Sequence, residues 1–204
     1  MAGARFITFE GIDGAGKSTQ LRMLAARMRA DGAVVVESRE PGGAPGAEAI
    51  RALLVEGEPG RWSPESEVLL FTAARRDHLE RTINPALARG ETVICDRFAD
   101  STRVYQGTVR AELRGMVDAL HMLAIGIEPD LTIILDMDPA LSLVRGLARG
   151  GREDRFERFG EGFQVRLRDG FLALAAEFPA RCRVVPATGS AEEVAVRVAA
   201  VVAP

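Results

Sequence analysis

With 204 residues, 47% of them apolar and 27% charged, the chain is long enough to bury a substantial core and too apolar to remain disordered, so one folded domain over residues 1–204 is expected. A net charge of −3 supplies no broad basic field for a nucleic-acid polymer or an anionic membrane; anion binding must come from local arginines, and small molecules are the expected partners. No apolar stretch approaches the roughly 20 residues of a membrane span and no leader pattern precedes the first apolar run, which predicts a cytoplasmic protein.

The first strand-length run, residues 6–9, leads directly into Gly11-Ile12-Asp13-Gly14-Ala15-Gly16-Lys17-Ser18, with Thr19 and a helical pattern over 21–28 behind it. This fits G-x-x-x-x-G-K-[ST] in its required strand-loop-helix setting. Glycines let successive N–H groups turn inward around a phosphate, and the helix N-terminus adds the positive end of its dipole. Lys17 is suited to bridge β and γ oxygens and the Ser18 hydroxyl to ligate Mg²⁺. Lys17 is also the sole lysine of the chain, a compact point charge where every other permanent cation is arginine. The motif predicts nucleoside triphosphate binding and leaves kinase, GTPase and motor open.

Strand 34–36 is followed by a Pro/Gly loop over 41–46 and a helix over 47–55; a second loop over 57–64 precedes helical material over 65–89, where Val68, Phe71 and Leu79 recur on one face. Strand 92–95 ends on Asp96 and Arg97. A carboxylate and a guanidinium there lie in the crevice where open α/β sheets bind ligands, Asp96 facing the metal and Arg97 an acceptor phosphate. Helix 116–125, strand 131–135, helix 140–147, a helix over 162–178, strand 184–185 and helix 194–202 complete the pattern. These βα steps predict an α/β fold with a five-stranded parallel sheet and helices on both faces. Cys95 and Cys182, each in an apolar run, read as reduced, buried thiols and not as a disulfide or metal ligands; His78 and His121 read as packing or surface residues.

Between 145 and 158 the chain is rich in arginine, with Gly150-Gly151 as a hinge. That composition predicts a mobile lid that brings guanidinium groups to the transferring phosphoryl. An N-K-x-D guanine-recognition element is impossible with Lys17 as the only lysine, which argues against a GTPase switch.

The run from Phe9 to Thr19, then Arg39-Glu40-Pro41-Gly42-Gly43, Phe71-x-x-x-Arg75, Asp96-Arg97-Phe98, Ser101-Thr102 and Tyr105-Gln106-Gly107 resembles the bacterial thymidylate kinase family in order and spacing. The resemblance implies a P-loop, nucleotide-kinase-like fold and transfer of the γ-phosphate of ATP to dTMP, giving dTDP, with another nucleoside monophosphate or deoxynucleoside kinase as the rival reading. It implies that Phe71 stacks on thymine while Arg75, one turn on, donates to O4; that Gln106 and Thr102 contact the base; and that Tyr105 crowds the sugar 2′ position. Arg97 and Arg39, with Ser101 nearby, would hold the acceptor phosphate, Asp13 would sit near it, and Leu54 and Pro41 would wall the pocket. Since Ile12, Asp13, Gly14 and Ala15 include no arginine, the resemblance places the catalytic arginine in the lid, as Arg149, Arg152 or Arg155, with Arg145 near the adenine. It also implies a homodimer.

Overall fold

A computed structural model describes residues 4–56, 60–108, 111–142, 144 and 160–202. Strands β1 (Phe6–Glu10), β2 (Val35–Arg39), β3 (Thr92–Asp96), β4 (Leu131–Asp136) and β5 (Cys182–Pro186) form one parallel sheet in the order β2-β3-β1-β4-β5. The expected five parallel strands are present. The three central ones are buried on both faces, as their continuous apolar runs require, whereas at the edges β2 exposes alternate residues and β5 exposes Arg183, Val184 and Pro186.

Strands β1 to β4 run past their apolar segments into polar residues that periodicity leaves outside. Ladder hydrogen bonds continue to the C-terminal edge, where side chains face the crevice instead of the core. The register sets Phe9 beside Asp96 and Asp96 beside Arg39, so Glu10, Asp96 and Arg39 finish on one rim.

Helices α1 (Lys17–Ala30), α2 (Pro45–Val55), α3 (Pro64–His78), α4 (Asn84–Ala88), α5 (Ala99–Thr102), α6 (Arg114–Leu120), α7 (Glu161–Glu177) and α8 (Ala191–Val202) flank the sheet. Strand alternation divides the core. Ile7, Phe9, Ile133 and Leu135 pack towards Leu24, Leu167, Phe171 and Val198 on one face. Phe6, Val93 and Cys95 pack towards Leu79, Ile83 and Ile125 on the other. Burying each such large side chain is worth about 1.5–3 kcal/mol, which fixes the sheet against both helical layers.

The predicted helix over 65–89 is α3 joined to α4 through a π turn, Leu79–Ile83. Pro85, which has no N–H to return to the preceding turn, gives that interruption its cause. Likewise the predicted helix over 116–125 is α6 followed by a π turn, His121–Ile125, closed by Gly126 in the left-handed region. Both cysteines are free and buried, and both histidines are buried. No helix among the described residues is long and apolar enough to cross a membrane. The proposed lid, with Arg145, Arg149, Arg152 and Arg155, lies outside the described residues.

Candidate active site

The loop from Gly11 to Gly16 turns tightly between β1 and α1. Gly11 and Gly14 have φ of 128° and 85°, and a Cβ on either would meet the Leu135 or Ser142 carbonyl oxygen at 2.5 and 2.3 Å. Backbone, not a flexible side chain, therefore dictates both glycines. The Ser142 hydroxyl also donates to the Asp13 carbonyl, tying the loop to the chain after β4. Lys17 is buried and donates to the carbonyls of Gly11 (3.1 Å) and Ile12 (2.9 Å), with Asp13 Oδ1 at 3.8 Å. Burial, reinforced by the Arg97 guanidinium, pushes its ammonium down to about 8 against the pull of Asp13, Asp96 and Glu10.

Ser18, in the first turn of α1, donates to Asp96 Oδ2 at 2.5 Å. A hydroxyl and a carboxylate side by side are hard oxygen donors, and the pair fits a Mg²⁺ ion that keeps most of its other ligands as water or phosphate oxygens.

Beside this cradle a pocket is lined by Asp13, Pro41, Phe71, Arg75, Arg97, Ser101, Thr102, Tyr105 and Gln106, all anticipated as acceptor residues, and also by Glu40, Arg51, Val55 and Phe98. Arg97 follows β3 in the left-handed region, φ 71°, the one described non-glycine residue with positive φ. Its N–H donates to the Phe9 carbonyl at 2.9 Å. Its guanidinium then donates to Ser101 Oγ (2.9 Å), Asp13 Oδ1 (2.6 Å) and Tyr105 Oη (3.0 Å). The Tyr105 hydroxyl donates in turn to Asp13 Oδ2 at 3.1 Å. Burial drives the Asp13 carboxyl upward, but Arg97, Lys17 and these hydrogen bonds outweigh it and hold it at about 2. Burial raises the Tyr105 phenol well above its ordinary range, so it stays a neutral donor.

The acceptor segment is α5 running into a π turn, Arg103–Thr108. Two buried carboxylates pin it. Glu10, at the end of β1, accepts from the N–H groups of Phe98 (2.8 Å) and Ser101 (3.3 Å) and from Ser101 Oγ (2.6 Å). Burial, then the neighbouring Asp100 charge, pushes its carboxyl up to about 7. Asp100 accepts from Arg103 (2.8 Å), Arg181 (2.5 and 2.8 Å) and Thr132 Oγ1 (3.1 Å), which fastens the segment to β4 and to the start of β5.

Two expected pocket residues sit elsewhere. Leu54 is fully buried, and the α2 face towards the pocket is the one carrying Arg51 and Val55, four residues apart. Arg39 is more than half exposed, donates to Glu48 at 3.1–3.2 Å, and lines a neighbouring cleft that Ser18 and Asp96 share. Sequence reasoning missed Glu10, Glu40 and Arg51. The first two stand at strand ends, the position that singled out Asp96; Arg51, which donates to the Pro41 carbonyl at 2.5 Å, had no sequence signal.

A glycine-shaped phosphate cradle, a hydroxyl-carboxylate pair for a cation, and a cationic pocket along the same sheet edge define a P-loop nucleotide kinase. Residues 9–198 match the family model described as thymidylate kinase. The chain is 63% identical over 196 residues to the thymidylate kinase of Dinoroseobacter shibae, covering 96% of this chain and 95% of that one. It is 60% identical over 197 residues to that of Ruegeria pomeroyi, covering 97% and 93%. The crystal structure of thymidylate kinase from Ehrlichia chaffeensis superposes with a TM-score of 0.78 at 36% identity, covering 99% of this chain and all of that one. The chain belongs to the thymidylate kinase family.

Proposed function

We propose that this single-domain chain is a cytoplasmic enzyme that phosphorylates dTMP to dTDP with ATP and Mg²⁺. The observation that carries the acceptor assignment is the fork of Arg75. Its Nε donates to Glu40 at 2.7 Å, and its Nη2 donates to the Phe98 carbonyl (3.1 Å) and Thr102 Oγ1 (3.0 Å). Arg75 lines the pocket, and Nη1 is the group it has left to offer there. A guanidinium only donates, so it suits the keto O4 of thymine and rejects the amino group of cytosine. Phe71, half-buried one turn earlier, offers a ring face to the same base.

Arg97 binds the acceptor phosphate and presents it in line with the γ-phosphorus, and Lys17 neutralises charge on the β and γ oxygens. Ser18 and Asp96 hold Mg²⁺, which when bound supplies further charge neutralisation at those phosphates. An arginine of the 145–158 segment, Arg149, Arg152 or Arg155, would supply the remaining positive charge in this reading. A coupled ADP-release assay with dTMP, dUMP, UMP, CMP, AMP and thymidine offered separately tests the reading. Strong preference for dTMP is expected; preference for another monophosphate would leave the kinase core standing and remove the acceptor assignment.

The enzyme is a homodimer in this proposal. Leu69 on α3 is 51% exposed, and Met122 and Leu123 on the π turn packed against α3 are 80% and 85% exposed, a cluster that a second copy would cover. Sedimentation at micromolar concentration is expected to give twice the chain mass of 21.9 kDa; a single-chain mass would remove the dimer.

A further inference from the structure

We propose that His78 is a positioning residue for base recognition: with Ser38 behind it, it locks the Glu40 carboxylate that aims Arg75 into the pocket. The inference rests on the reading of Arg75 as the group that meets the base.

Arg75 and His78 lie three residues apart on α3, hence on one face, and both reach Glu40 at the exit of β2. Arg75 Nε takes one carboxylate oxygen at 2.7 Å and His78 Nδ1 the other at 2.9 Å. A carboxylate accepts only, so Nδ1 carries the proton; in the neutral ring Nε2 then accepts from the Ser38 hydroxyl at 2.6 Å. Arg75, Glu40 and His78 are 4%, 6% and 0% exposed, so water cannot replace any of these bonds cheaply. Two donors from one helix, one on each oxygen, stop the carboxylate from rotating, and Nη1 of Arg75 inherits that fixed direction.

The loop after β2 is shaped around the same chain of bonds. Gly43 has φ 81°, and a Cβ there would lie 2.4 Å from both His78 Nε2 and Ser38 Oγ. Its carbonyl accepts from Thr82 Oγ1 at 2.7 Å, which holds the glycine against the Ser38–His78 bond. The Glu40 and Gly43 of the Arg39-Glu40-Pro41-Gly42-Gly43 motif thereby serve one arrangement.

The test compares His78→Leu, His78→Asn and Ser38→Ala with Arg75→Met, reading KM for dTMP and ATP and the preference for dTMP over dCMP. His78→Leu removes the donor at similar bulk and should raise KM for dTMP about tenfold and cut the preference about tenfold, with KM for ATP within about twofold. The amide of His78→Asn can stand where Nδ1 stood, and it should recover most of both effects. Ser38→Ala leaves His78 and Glu40 in place, should cost a few-fold, and carries the test by itself if His78→Leu does not fold. Unchanged dTMP parameters in both His78→Leu and Ser38→Ala, or an equal rise in both KM values with no recovery in His78→Asn, would overturn the inference. If Arg75→Met itself leaves the preference intact, the reading of Arg75 fails first; if Arg75→Met abolishes the preference and His78→Leu does not, only the positioning role falls.

Discussion

Lys17→Met is expected to lower kcat by about 10²–10³-fold, the effect of deleting one preorganised positive donor from a site where charge develops in the transition state. Lys17 is buried and spends its donors on the loop's own carbonyls, at 2.9 and 3.1 Å, so it is already within the loop where phosphate must arrive. Its second consequence is a proton. The folded-state value of about 8 lies below the ordinary 10.5, so the fold favours the neutral amine. That contribution to stability is fully present above 10.5 and is lost as pH falls through 8; at neutral pH the charged lysine is held at a cost. The β and γ phosphates of ATP reverse the preference. On binding, Lys17 should therefore take up about half a proton at pH 8 and almost none at pH 6. Calorimetry in two buffers of different ionisation enthalpy reads this directly. Lys17→Met should abolish the difference between buffers, and equal heats for the unaltered protein at pH 8 would remove the assignment.

Arg97→Met is expected to lower kcat/KM for dTMP by about 10²–10³-fold, mostly as a rise in KM, with KM for ATP much less affected. Arg97→Lys should restore little, because a single ammonium cannot serve Ser101, Asp13 and Tyr105 from one planar fork. Stability changes with it. Asp13 loses its 2.6 Å partner, and its carboxyl climbs from about 2 towards 3.8. A depressed carboxyl stabilises the fold above its unfolded value, and that contribution is lost as pH falls through the folded one. The variant should therefore be less stable throughout the range above about pH 4, begin acid unfolding at higher pH, and converge with the unaltered protein only as pH falls towards 2. Acid titration followed by circular dichroism checks it; coincident curves would mean that Lys17 and Tyr105 suffice to hold Asp13 ionised.

The central strands and the phosphate cradle were legible because each is a local pattern, a continuous apolar run or a fixed glycine spacing, and the Phe71/Arg75 pair was legible through its place in the order of family motifs. What was not legible depended on helical phase or on partners distant in sequence. Leu54 and Val55 are adjacent, and only the packing of α2 decides which one lines the pocket and which enters the core. Arg39 is drawn to Glu48, nine residues on, and so stands in the cleft beside Asp96. Glu10 and Glu40 look like ordinary strand-end carboxylates until Ser101 and Arg75, far along the chain, are folded against them. The π turn Arg103–Thr108 mixes charged, aromatic and small residues with no period to read.

Every described residue lining the acceptor pocket lies between Asp13 and Gln106. Described residues of the later half act on the phosphate loop and on that pocket from outside: the Leu135 carbonyl limits Gly11, Ser142 holds the Asp13 carbonyl, and Thr132 and Arg181 hold Asp100. These braces from the later half thus join those that Glu10, Ser38 and His78 supply from within the first. Acceptor preference can drift through substitutions in the first half while the braces stay unchanged. A hybrid that joins the first half of one relative to the second half of another should take its choice of nucleotide from the first, provided the carbonyl, hydroxyl and guanidinium braces are kept.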